Sequence, residues 1–179
     1  MPLLGKGKDK KGKKGLLGSL GIKAEKAPSQ TAAEDQRRHE AIKKAWGFLR
    51  RQIDSGVEEY FRSGYTDRLR DYVARPASDL LFSELEKLRS SGIYWTQPDR
   101  PTATQPKVEV IRERLNEHRQ PVEFTVQERF KDHSVYRSMS GGVERVCEGK
   151  ERVIQATVEV QDGQHYKLLS IIEVRGATL

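Results

Sequence analysis

The sequence predicts an α+β fold in which helices come first and an antiparallel meander of strands follows, behind a disordered basic tail. Three observations predict it. Apolar residues recur at steps of three and four from Ile42 to Phe61, and again from Leu81 to Leu88. From Pro121 onward the apolar period becomes two. Ahead of both lies "LLGKGKDKKGKKGLLGSLG" (residues 3–21), with too much glycine for a stable helix and no alternation for a strand. Residues 1–30 therefore read as the tail and residues 31–179 as one folded domain.

The charge is concentrated in the tail. Residues 1–30 hold eight lysines against Asp9 and Glu25, a balance of +6, which leaves +1 of the total +7 for the remaining chain. Six of those lysines (Lys6, Lys8, Lys10, Lys11, Lys13 and Lys14) are consecutive basic positions broken only by glycine and Asp9. Polyanions are the expected partners of such a segment: anionic lipid headgroups or nucleic acid phosphates.

Order is expected to begin near Thr31, where "TAAE" has the spacing of a capping box. Behind it Ile42, Ala45, Trp46, Leu49, Ile53, Val57, Tyr60 and Phe61 form one face of a helix of about eight turns. Gly56 weakens its later half, and Gly64 suits its C-terminal cap. A short second helix is expected from Thr66, with Leu69, Tyr72 and Val73 inward and Pro76 as its end. Ser78 then caps a third, with Leu81, Leu85 and Leu88 on one face and Gly92 at its close. Residues 93–106 hold three prolines and read as a loop or crossover. Val108, Ile111 and Leu115 fit either a short helix or a first strand.

After that the strands are clear. Val122, Phe124 and Val126 alternate, as do Ile154, Ala156, Val158 and Val160. "SGG" (Ser140 to Gly142) reads as a turn between a strand near 122–138 and one near 143–149. Asp162-Gly163 reads as a two-residue hairpin turn. That register sets Ala156 opposite Leu169 and Ile154 opposite Ile171, and puts Leu168, Ile172 and Val174 on the other, more mixed face.

Several classes are excluded. Cys147 is the only cysteine, so no intrachain disulfide is possible and a reducing compartment is expected. No run of 18 apolar residues exists to span a bilayer. Leu3-Leu4 and Leu16-Leu17 are isolated pairs rather than a secretory apolar region, and Pro2 occupies the position where N-myristoylation needs glycine. A soluble protein is expected.

The order of elements resembles the nuclear-transport-factor-2-like cone fold, in which helices pack on a curved antiparallel sheet. The chain is most similar to the C-terminal domain of the mitochondrial import-motor scaffold (an inner-membrane translocase subunit) and its bacterial and mitoribosomal relatives. The stretches that carry the resemblance are "YFRSGYTDRLRDYVARPASDLLFSEL" (Tyr60 to Leu85), "VEFTVQERF" (Val122 to Phe130) and "GKERVIQATVEVQDGQHYKLLSIIEV" (Gly149 to Val174). It covers residues 40–175 as a pattern of elements, with Tyr166 where tryptophan is common. Two features depart from that family: the Lys/Gly-rich tail in place of a cleavable presequence, and the lack of a transmembrane anchor before the domain. The resemblance implies a cone-shaped binding domain, and it admits a homodimer.

Four candidate sites follow. In "FKDHSVYR" (Phe130 to Arg137), Asp132, His133 and Tyr136 could form an acid–base set, since a cone can desolvate and tune a carboxylate. Adjacent strand residues point to opposite faces, however, and "KDHS" reads equally as a bend, so the structural reading is preferred. His39, His118, His133 and His165 show no metal spacing, and Cys147 reads as a small packed side chain. "GKDKKGKK" (Gly7 to Lys14) lacks both the magnesium-binding hydroxyl and the preceding strand of a phosphate loop. The arginines Arg50, Arg51, Arg68, Arg70 and Arg75 read as a solvated helix face paired with Glu58, Glu59 and Asp71.

The reading that combines these points is a non-enzymatic, membrane-peripheral adaptor or scaffold in the cytoplasm or mitochondrial matrix. Its tail lysines (Lys6, Lys8, Lys10, Lys11, Lys13 and Lys14), with Leu16 and Leu17, would rest on an anionic membrane. Its domain would bind a protein partner, and Trp46, Leu49, Ile53, Phe124 and Tyr136 are expected to line a pocket that could accept an acyl chain or a partner's peptide. No cofactor or metal is expected. The alternatives are a ribosome- or RNA-associated protein using the same tail, and a small-molecule-binding or enzymatic cone using Asp132 or Tyr136.

Overall fold

The computed structural model describes residues 30–96, 105–147 and 149–174. The tail lysines and Leu16-Leu17 lie outside the described residues. Within them the chain is α+β: three helices followed by two antiparallel sheets.

Helix α1 spans Gln30–Ser63. It starts one residue ahead of the expected cap, so Thr31 lies in its first turn rather than at its N-cap. The apolar spacing does set its inward face, with Ile42, Trp46, Leu49, Ile53, Val57 and Tyr60 all buried. At its end Gly64 takes the left-handed conformation (φ 81°) and donates its N–H to the Tyr60 carbonyl at 2.8 Å.

Gly56 has a packing role rather than being a weak point. A Cβ there would lie 2.8 Å from Leu69 Cδ2 and 2.9 Å from Leu69 Cγ. Glycine is therefore what lets helix α2 (Asp67–Tyr72) press its fully buried Leu69 against α1. Beyond α2 the chain straightens: Val73 bridges Leu168 in parallel, and the Ala74 N–H bonds the Leu168 carbonyl at 2.9 Å. Helix α3 (Ala77–Ser90) has Pro76, not Ser78, at its N-cap. Ser78 is buried in the first turn and makes no side-chain cap. Leu85 is buried and Leu81 and Leu88 half-buried, after which Ser91 and Gly92 close the helix.

The stretch expected as a loop begins with a strand. Residues Ile93–Thr96 form β1, because "IYWT" is rich in strand-favouring side chains and the prolines start only at Pro98. Residues 107–115 form β2 (Lys107–Leu115), paired antiparallel with β3 (Pro121–Asp132). The ambiguity there has a cause. The pairing slips between Val110 and Arg112, so Ile111 sits in an irregularity and is exposed, which breaks the period of two. A second slip falls between Arg114 and Leu115.

The long strand expected near 122–138 is broken at residues 133–134. After it come β4 (Val135–Ser138), β5 (Val143–Val146), β6 (Lys150–Gln161) and β7 (His165–Glu173). The larger sheet has the order β2-β3-β6-β7 and the smaller β1-β4-β5. The last hairpin differs from the expected register. Gln161 pairs with His165, so three residues form the turn, and a further slip falls between Thr157 and Val158. The first offset turns Leu168 to the core face opposite Val158, where it is buried; the second sets Ala156 opposite Ile171 and Ile154 opposite Glu173.

The core is the layer between α1 and the larger sheet, where Leu49, Phe124, Val126, Ala156 and Val158 are almost wholly buried. At the N-terminal half of α1, Arg38 grips Glu113 of β2 with two charge-assisted hydrogen bonds, Nε to Oε2 at 2.8 Å and an Nη to Oε1 at 2.6 Å.

The Gly56 contact makes a definite prediction. Gly56→Ala should lower stability by about 1–3 kcal/mol through overpacking against Leu69, although alanine is the better helix former by about 1 kcal/mol. Equilibrium denaturation measures it, and an unchanged or raised midpoint would show that α2 can retreat.

Candidate functional site

A cavity of about 370 Å³ opens between α1, α3 and the sheets. Its apolar wall is built by three parts of the fold: Trp46, Ile53 and Val57 from α1, Leu81, Leu85 and Leu88 from α3, and Trp95, Phe130 and Leu168 from strands. Of the residues expected to line a pocket, Trp46, Ile53 and Tyr136 do so. Leu49 and Phe124 do not. They are 0% and 1% exposed, and their positions on α1 and β3 face the centre of the helix–sheet layer instead.

Arg50, Asp54, Asp132 and Arg152 line the cavity and form two clusters with Glu128 and Glu173, which are not lining residues. In the first, the Trp46 indole N–H donates to Glu128 Oε2 at 3.2 Å. Arg50 lies between two carboxylates, with Nε 3.4 Å from Asp54 Oδ1 and an Nη 3.5 Å from Glu128 Oε2. Its guanidinium also stacks over the Phe130 ring at 5.4 Å. Burial pushes both acids above the usual carboxylate range, and Arg50 only partly opposes this. Arg50 is thus part of this internal cluster and not of a solvated helix face paired with Glu58, Glu59 and Asp71, while Arg68 does pair with Glu59 on the outside at 3.4 Å.

The second cluster surrounds the bend that ends β3. Asp132 is buried, accepts the Ser134 backbone N–H at 3.0 Å and accepts an Arg152 Nη at 2.9 Å. Arg152 also makes two bonds to Glu173, at 3.0 and 3.2 Å. Burial alone would raise Asp132, but the bonds from Ser134 and Arg152 outweigh it and hold the carboxyl below its ordinary range. Tyr136 is pushed up, chiefly by burial, so its phenol keeps its proton at neutral pH. A carboxylate held this low is a poor base. The cavity brings Asp132 and Tyr136 together, but His133 is not among its lining residues.

Among the described residues, no three His, Cys, Asp or Glu side chains are grouped to hold a metal ion. No helix among them is long and apolar enough to cross a membrane. Arg50, Asp54, Glu128 and Arg152 are the site residues that sequence reasoning missed. Two signals pointed to the first three of them, and none to Arg152. Trp46, Arg50 and Asp54 are spaced four apart on one helix face, and Glu128 occupies an inward position between Val126 and Phe130. No protein-family model matches the chain, and no curated protein gives a match.

The two clusters act oppositely on stability as pH changes. Glu128 and Asp54 hold protons in the fold to a higher pH than in the unfolded chain, so acidifying from neutral through their raised range adds stability. Asp132 and Glu113 are depressed, so their contribution is complete above the ordinary carboxylate range and is lost as pH falls through their lowered values. Denaturation across pH should give an optimum on the acid side of neutral. Glu128→Gln should flatten the slope between neutral and about pH 5. Glu128→Ala should cost about 1–3 kcal/mol at neutral pH by leaving the Trp46 N–H without an acceptor.

Proposed function

We propose that this protein is a non-enzymatic, membrane-peripheral adaptor whose cone-like domain receives an apolar segment of a partner protein. The observation that carries the reading is the composition of the cavity. Its walls are apolar and aromatic, and Arg50, Asp54, Asp132 and Arg152 are engaged with one another or with Glu128 and Glu173. Such a hollow supports binding by burial of apolar surface. It does not favour acid–base work at Asp132, whose carboxylate is already neutralised by Arg152. The enzymatic cone is accordingly the weaker reading.

The tail supplies the second contact. Six clustered lysines near an anionic bilayer contribute about 1 kcal/mol each, and Leu16 and Leu17 can enter the interface. A weak lipid contact and a weak partner contact reinforce each other through effective concentration. The absence of arginine and aromatic side chains in residues 1–30 favours lipid over RNA, which is held by stacking and forked contacts.

Co-flotation with vesicles tests the membrane half. The full chain should float with phosphatidylserine-containing vesicles and not with neutral ones. A full chain carrying Lys→Gln at Lys6, Lys8, Lys10, Lys11, Lys13 and Lys14 should stay behind. Flotation that RNA strips away would move the tail to nucleic acid. No flotation at low salt would remove the membrane from the reading.

A further inference from the structure

The outer side of α1 carries charge that the packing of the fold does not use. Arg37, Lys44, Arg51 and Arg62 stand seven, seven and eleven residues apart. At about 100° per residue they fall within an arc of about 40°. The buried Ile42, Trp46, Leu49, Ile53 and Val57 occupy the opposite side of the helix. All four cations are exposed, and among the described residues none of them makes an ion pair. The acids of α1 that flank them are mostly committed. Glu40 is held by Lys43 at 2.8 Å and Glu59 by Arg68 at 3.4 Å, which leaves Glu58 as the flanking carboxylate that no cation holds among the described residues.

At 1.5 Å per residue the stripe is about 38 Å long, a straight row of positive charge on the ridge of one helix. Such a row fits a plane of anionic headgroups. From this geometry we infer that α1 lies along an anionic lipid surface through Arg37, Lys44, Arg51 and Arg62, and so orients the domain on the membrane. The inference rests on the membrane half of the reading above and adds the face that meets the lipid. Trp46, Ile53 and Val57 line the cavity from the opposite side of the same helix, so this contact turns the cavity away from the bilayer and toward a partner in solution. The tail lysines hold the protein near the lipid, and the stripe sets which way the hollow faces.

Binding to phosphatidylserine-containing vesicles, measured by co-sedimentation at moderate salt, separates the face from the overall charge. Two full-chain variants lose the same number of charges: Arg37→Gln, Lys44→Gln and Arg51→Gln in one, Lys107→Gln, Arg112→Gln and Lys131→Gln in the other. The second set is exposed on β2 and β3. The first variant should bind about tenfold more weakly than the second. Their thermal midpoints should match that of the unaltered chain. Glu58→Gln should bind about threefold tighter, a gain that damage to the fold would not produce. Equal binding of the two triple variants overturns the oriented contact and leaves the tail as a tether. Binding that RNA competes away gives the stripe to nucleic acid and overturns the lipid contact. If the unaltered chain binds no vesicle, the membrane reading falls and this inference with it.

Discussion

A tryptophan indole buried near the middle of a 34-residue helix needs a hydrogen-bond acceptor, and here Glu128 of β3 supplies it at 3.2 Å. That one requirement places a carboxylate inside an apolar layer. A buried carboxylate in turn needs a counter-charge, which Arg50 provides from one turn further along α1. Arg50 extends to Asp54 and lies over Phe130, so a polar thread runs from the core to the wall of the cavity. The Arg50–Asp54 ion pair on the cavity wall is thus a consequence of how the helix is held to the sheet.

Along its length α1 is fixed by three kinds of contact. Near its start the Arg38–Glu113 fork joins it to β2. At its middle the Trp46–Glu128 bond and the surrounding apolar layer join it to β3. Further on, the missing side chain at Gly56 allows α2 to close against it. The ion pair is directional, the apolar layer is not, and the glycine contact is purely steric. Together they set the helix's height, rotation and distance from its neighbours, which is why the cavity beside it has a defined shape.

Much of this was legible. The inward face of α1, the broad division into helices and then strands, and the bend at "KDHS" all follow from periodicity and residue type. What was not legible has local causes. Ile111 interrupts the alternation of β2, so a strand shows helical spacing. The last hairpin carries one extra turn residue and one slip, and two such offsets restore parity while moving Leu168 inward. Leu49 and Phe124 were placed in the pocket because apolar spacing marks an inward face without dividing core from cavity lining. The polar thread escaped notice because its members lie on different elements, with Trp46 and Glu128 separated by 82 positions.

The irregularities of the larger sheet have a further consequence for its two margins. Along β2 the pairing slips twice within nine residues, so the outward row of donors and acceptors is not continuous. Along β7 the segment at Val73 and Ala74 lies against Leu168 and occupies part of the free side. One margin is kinked and the other is partly covered. A foreign strand seeking to extend the larger sheet would find no straight template on either side, so the same departures from ideal geometry that hid the strands from their sequence pattern also guard this sheet against edge-to-edge aggregation.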